Sequence, residues 1–145
     1  MKITKNQAIT AFKALTQNLN LSNEVNKYAA SRNIKKLKAT TESIEEFTQE
    51  KRLEHCFKDK DECPVKDERG NMKFKPAQEK EFTKAIKAHM DEEVEFDPYQ
   101  FRNNPEMQSL KYMFINSDLE FLLDESLLAE PSEVKLEVVA SNGKE

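Results

Sequence analysis

The chain has 145 residues, 34% charged and 37% hydrophobic, with a formal net charge of −4, two glycines and no tryptophan. So few glycines argue against a sandwich or barrel, which need many tight turns. No apolar run approaches the roughly 18 residues needed to span a membrane, and "MKITKNQAIT" lacks the apolar core of a signal peptide, so an intracellular, cytoplasmic life is expected.

Charge is unevenly spread. Residues 1–60 carry a net of +5 and residues 61–145 a net of −9. Such a dipolar chain suits head-to-tail association or a basic face for phosphates; ordinary surface charge on amphipathic helices is the plainer alternative.

In chain order, Thr4 with Gln7 three residues on has capping-box spacing and opens a first helix. Ala8, Phe12, Leu15 and Leu19 line one face of it. "NLNLSN" interrupts, and Ser22 is the next N-cap candidate. A second helix from about Asn23 to Phe57 contains no Gly or Pro. Ala30, Ile34, Leu37, Thr41, Ile44 and Thr48 recur on it at steps of four and three, a narrow seam of coiled-coil type. Val25, Tyr28, Phe47 and Phe57 widen the seam in places. Such a helix reaches about 50 Å at 1.5 Å per residue, so part of it is expected to project or to pack on another copy. The seam Ala30, Ile34, Leu37, Thr41, Ile44 thus predicts a homo-oligomer.

Pro64 stops helix. "CPVKD" and "NMKFK" pair as two short strands, with Gly70 supplying a positive φ at the turn. The hairpin sends a third helix, about Ala77 to Glu93, back along the second, with Pro76 in its first turn. Phe82, Ala85, Ile86, His89 and Met90 form its apolar stripe. Val94 and Phe96 read as a short buried strand. Asn104 and Pro105 cap a helix carrying Met107, Leu110, Met113 and Phe114. Ser117 with Glu120 repeats the capping-box spacing ahead of "LEFLLDE", a further short helix. After Pro131, Val134, Leu136 and Val138 alternate as an edge strand, and "SNGKE" frays. The expected fold is α+β and mainly helical: one long helix, several shorter helices, a β-hairpin and one or two short strands. Residues 1–125 are read as one core domain and 126–145 as a C-terminal extension.

Candidate chemistry is sparse. His55, Cys56, Cys63 and His89 are all the His and Cys present. Cys-x6-Cys is not the tight knuckle of a zinc site, so no metal and no cofactor is expected. A Cys56–Cys63 disulfide requires an oxidising setting. "MDEEVEFD" gathers five carboxylates that close a helix and alternate on a strand, as a solvated face does. No Gly-rich phosphate loop and no nucleophile elbow is seen, and the expectation is a protein that is not an enzyme. "SRNIKKLK" is the one concentrated basic run. Tyr28, Arg32, Lys35, Lys36 and Lys38 make a candidate phosphate- or partner-binding face, against a solvated helix face answered by "EEFTQE" further along.

Several segments in order carry a resemblance: "MKITKNQAITAFKAL", "YAASRNIKKLK" on a long helix, "DERGNMKF", a helix, "EVEFD" and a closing "LEFLLDE". Across roughly residues 1–125 this order resembles a family of small uncharacterised proteins of tailed bacteriophages (DUF1617-like). "DKDEC" with Cys63, and residues 126–145, depart from the pattern. The resemblance implies a phage origin and a small accessory role, with no activity or site residue to transfer. Three functions are then expected in this order: a non-enzymatic accessory protein that binds a host or phage protein, including inhibition of host defence; a virion or assembly component; and an oligomeric binder of small signalling nucleotides.

Overall fold

The computed structural model describes residues 1–17 and 19–129. The expected strand at Val134, Leu136 and Val138 and the fraying tail lie outside the described residues. The protein is α+β and mainly helical. Its elements are β1 (Lys2–Thr4), α1 (Lys5–Gln17), α2 (Glu24–His55), α3 (Pro76–Met90), β2 (Glu93–Glu95), α4 (Pro105–Asn116), a 3-10 turn (Glu120–Leu122) and α5 (Glu125–Leu128). The residues expected to form one core group into two compact units. The first is Met1–Phe12 with Lys35–Phe96, and the second is Lys13–Ile34 with Asp97 onward. Both α1 and α2 have one part in each.

In the first unit, β1 and β2 pair antiparallel, with Ile3 opposite Val94. The amide of Lys5 continues the ladder to Glu92 O at 2.8 Å, and Phe96 donates to Met1 O at 2.8 Å. Ile3 and Phe96 are buried. The capping box at Thr4 forms as its spacing predicts: Gln7 Oε1 accepts from the Thr4 amide at 2.9 Å, and Thr4 Oγ1 from the Gln7 amide at 3.0 Å.

Between α2 and α3 the chain makes two turns of the same construction. Asp67 N donates to Asn71 O, Gly70 N donates to Asp67 O, and Asp67 Oδ1 accepts from the amides of Arg69 and Asn71. Eight residues earlier, Asp59 N donates to Cys63 O, Glu62 N donates to Asp59 O, and Asp59 Oδ1 accepts from Asp61 and Cys63. The fourth residue of each turn is left-handed: Gly70 at φ +81° and Glu62 at φ +64°. The bridges repeat too, Lys58 with Pro64 and Lys66 with Met72. The predicted hairpin is therefore the second half of a duplicated one. In place of the expected short strands, three extended segments meet in isolated bridges and then close on themselves. Val65 N donates to Phe57 O at 2.9 Å, Lys73 N to Val65 O at 2.8 Å, and Phe57 N to Lys73 O at 2.8 Å. Residues 57, 65 and 73, each eight apart, form a ring in which every member donates once and accepts once.

The ring ends α2 at His55 and starts α3 at Pro76, so α3 returns antiparallel along α2. His89 stacks on Phe47 at 3.7 Å, and the Arg52 guanidinium lies 5.8 Å over Phe82. The α3 stripe is half-covered, with no fully buried residue.

In the second unit, the cap of α2 is Asn23, whose Oδ1 accepts from Asn26 N at 3.0 Å. The expected cap is displaced by one residue, and the Ser22 amide donates to Glu106 Oε2 at 2.9 Å. That bond lowers the Glu106 carboxyl pKa. Asn104 caps α4 as its position before Pro105 predicts, accepting from Met107 N at 2.8 Å. Ser117 caps no helix start. It closes α4, Asp118 takes φ +61°, and "LEFLLDE" yields a 3-10 turn before α5, which is capped by Asp124. Phe101, Met107, Phe114, Leu119, Leu122 and Leu127 are buried.

The duplicated turns give a paired test. A left-handed residue with a Cβ costs about 1–2 kcal/mol, while glycine loses about 0.5–1 kcal/mol more chain entropy on folding. Glu62→Gly is expected to raise stability in urea by about 0.5 kcal/mol. A Cβ at Gly70 meets nothing within 4 Å, so Gly70→Val should cost only the backbone term, about 1–2 kcal/mol, with Gly70→Asn tolerated better. Equal midpoints for Val, Asn and Gly at 70 would mean a loose loop.

Candidate functional site

Asn26 and Asn33 are both fully buried on α2. Each grips one residue of the extended stretch before α4 by both of its main-chain groups. Asn33 Oδ1 accepts from Tyr99 N at 2.8 Å and Nδ2 donates to Tyr99 O at 2.9 Å. Asn26 does the same with Arg102, at 2.8 and 3.1 Å. Seven helical residues advance about 10.5 Å, and three extended residues about 10 Å, so the two spacings match. Between the two, Phe101 N donates to Leu122 O and Phe101 O accepts from Asp124 N. A segment without helix or sheet is thereby held on both sides, as buried peptide groups require.

The clamp places the Tyr99 ring. Tyr28 stands edge-on to it, centroids 6.0 Å apart and planes at 89°. The Arg32 guanidinium lies 5.5 Å over the same ring, and a hydrogen bond with the Tyr99 side chain raises its pKa further. Arg32 Nε is enclosed without a partner. Tyr28 is 58% exposed, and Val25, one turn earlier on the same face, is also exposed. The predicted basic face thus holds together at Tyr28 and Arg32, joined by Tyr99, which periodicity did not single out. Lys35, Lys36 and Lys38 are exposed on the stretch of α2 that belongs to the first unit; the aromatic cluster does not include them.

The predicted oligomer seam is covered by the chain itself. Ala30, Leu37, Thr41 and Ile44 are buried. Ile34 is half-buried and lines a groove of about 320 Å3 with Leu15, Leu21 and Ala30. The argument from an uncovered seam to a homo-oligomer therefore falls away. Thr48 Oγ1 bonds back to Ile44 O at 2.8 Å, while Thr41 Oγ1 is buried without a partner.

His89 is the most constrained titratable group. Its Nδ1 lies 3.1 Å from Glu92 Oε1, and Lys5 Nζ reaches the same oxygen at 2.9 Å. Burial, with the Lys5 charge adding, pushes the imidazole pKa below its ordinary value, against the opposing pull of Glu92. Glu92 is held below the usual carboxylate range, first by its bond from Lys5. A neutral His89 donates from Nδ1 to Glu92 and leaves Nε2 as the reactive lone pair. That atom is enclosed and faces no partner. The His–carboxylate pair has the outline of a general base, but its basic nitrogen has no access to a substrate.

Cys56 is buried and Cys63 exposed, both as free thiols. Among the described residues no group of three His, Cys, Asp or Glu is arranged to hold a metal, and no helix is long and apolar enough to cross a membrane. No family model matches the chain, and no curated protein or solved structure is similar to it.

Two outcomes check the geometry. Asn33→Ala removes both partners of the Tyr99 peptide groups and should cost about 2–4 kcal/mol in urea denaturation, at about 1–3 kcal/mol for each buried group left unpaired; a loss within error would mean the clamp is ornamental. For His89, the depressed folded pKa means that the unfolded chain takes up protons first as pH falls. Stability is then complete above the ordinary histidine value near 6.5 and declines below it. His89→Phe keeps the stack on Phe47 and should flatten the change between pH 7.5 and 5.5. The same decline in both proteins would assign it to other groups.

Proposed function

We propose that the protein is a non-enzymatic phage accessory protein that acts by binding a host or phage protein, with the surface at Tyr28, Arg32 and Tyr99 as its contact. The phage setting rests on the sequence resemblance. The contact rests on one observation: an exposed tyrosine packed edge-on against a second tyrosine whose main chain is clamped by a buried asparagine. Tyr and Arg dominate interface hot spots, and rigid aromatics lose little entropy on binding. A patch ordered before contact avoids part of the ordering penalty of association. The enclosed Nε2 of His89 supports a role other than catalysis. Binding that blocks a host defence component is the form of this function that the accessory role favours.

The test is affinity purification of the full chain from infected cells, beside Tyr28→Glu, with mass spectrometry. Tyr28 is exposed enough that the variant should melt with the wild type. A stoichiometric protein partner is expected with the wild type and should be lost in the variant, since a hot-spot residue contributes about 2 kcal/mol or more, roughly thirtyfold in affinity. Identical recovery in both would overturn the assignment of the surface. Recovery of capsid or tail proteins alone would replace the accessory role with an assembly role.

A further inference from the structure

A cavity of about 500 Å3 lies in the first unit beside the second duplicated turn, lined by Gln49, Arg52, Lys66, Asn71, Phe74 and Phe82 among others. It is separate from the Tyr28 surface, and nothing in the proposed partner binding uses it. The volume falls within the range of small-molecule sites. Both charged residues of the lining are cations. Of the two acids in the adjoining turn, Asp67 turns its Oδ1 to the amides of Arg69 and Asn71, and Glu68 is exposed and outside the lining.

Arg52 is fixed in two ways. Its Nη1 donates to Gln49 Oε1 at 3.0 Å, and its guanidinium rests over Phe82. That bond uses one of the five N–H donors a guanidinium carries. Phe82 in turn packs on Phe74, with centroids 5.0 Å apart and planes at 29°. The rim at Gly70 is open, since a Cβ there meets no atom within 4 Å. An oriented guanidinium, a second cation, two side-chain amides and an aromatic wall therefore converge on one space.

We propose that this cavity binds a nucleoside monophosphate, with the phosphate at Arg52 and Lys66, the base against Phe74 and Met72, and the amides of Gln49 and Asn71 toward the polar edges of the base. Charge and surface together select this class. A phosphate dianion balances two cations, and Arg is the side chain best shaped for phosphate oxygens. Inorganic phosphate would leave the apolar part of the lining, Met72 and Phe74, facing water. An uncharged nucleoside would leave both cations uncompensated.

The experiment is calorimetric titration of the full chain with each of the four ribonucleoside 5′-monophosphates, with adenosine, and with inorganic phosphate, in low salt. At least one monophosphate is expected to saturate one site per chain, tenfold or more tighter than adenosine or phosphate. Lys66→Gln, at an exposed position, should weaken it at least threefold with no change in melting temperature, and Arg52→Gln should weaken it further. Lys84→Gln, outside the cavity on α3, should leave it unchanged. The proposal is overturned if no monophosphate saturates at millimolar concentration, if phosphate alone binds as tightly, or if Lys66→Gln and Arg52→Gln bind as the wild type does. A negative titration would leave the Tyr28 surface and its partner standing.

Discussion

Three main-chain hydrogen bonds, from Phe57 to Lys73, from Lys73 to Val65 and from Val65 back to Phe57, set the course of the first unit. A helix of 32 residues rich in charge has no local reason to stop at His55, for the first proline is Pro64. It stops because the next free amide, that of Phe57, is taken by a carbonyl from the far end of two turns. The same bond brings Phe74 and Lys75 beside the end of α2, where Lys75 Nζ sits 4.8 Å over Phe57 and Phe74 stacks on Phe82. The direction of α3 follows, and with it the contacts of Phe82 and His89 with α2. The cavity proposed to take a nucleotide has one wall in the second of these turns, so its shape depends on the same ring.

The second unit faces a similar problem and meets it with side chains. The stretch before α4 is extended, yet no strand lies on its α2 side. Asn26 and Asn33 stand in for that missing strand, each presenting one donor and one acceptor as a neighbouring peptide group would. In the first unit Asp59 and Asp67 do comparable work by accepting main-chain amides within their own turns. A chain with two glycines cannot rely on glycine for its irregular segments, and carboxylates and carboxamides bonded to the backbone take over that task. Side chains fixed in this way also present surface groups in one arrangement, as Asn33 does for Tyr99.

Long helices and capping signals were legible because they are local. Thr4 with Gln7, Asn104 with Pro105, and the hairpin at Gly70 all follow from spacing within a few residues. The first turn was hidden because Glu62, with a Cβ, fills the left-handed position that Gly70 marks in the second; only the recurrence of Lys-Asp after eight residues, at 58–59 and 66–67, hints at duplication. β1 is three residues long and pairs with residues some ninety positions away, too short and too distant for periodicity to show. The seam on α2 was read at the right residues but given the wrong cover, since steps of three and four identify a buried stripe without saying which chain buries it. Asn26 and Asn33 look like ordinary polar positions on a helix. Their partners lie 76 and 66 residues on, and Tyr99 acquires its place only through them. Ser22 and Asn23 are both capping residues by type, and only the folded backbone decides that Asn23 Oδ1 takes the Asn26 amide.

Amide hydrogen exchange by NMR at Phe57, Val65 and Lys73 tests the ring most directly. Exposed turns exchange through local opening at little free-energy cost, whereas amides in one cooperative structure exchange together. The three amides should be protected to similar extents, well beyond Lys60 or Glu68 in the intervening turns, and Gly70→Val should lower all three together. Protection at Val65 and Lys73 with free exchange at Phe57 would mean an open hairpin, with the return of α3 governed by its apolar stripe alone.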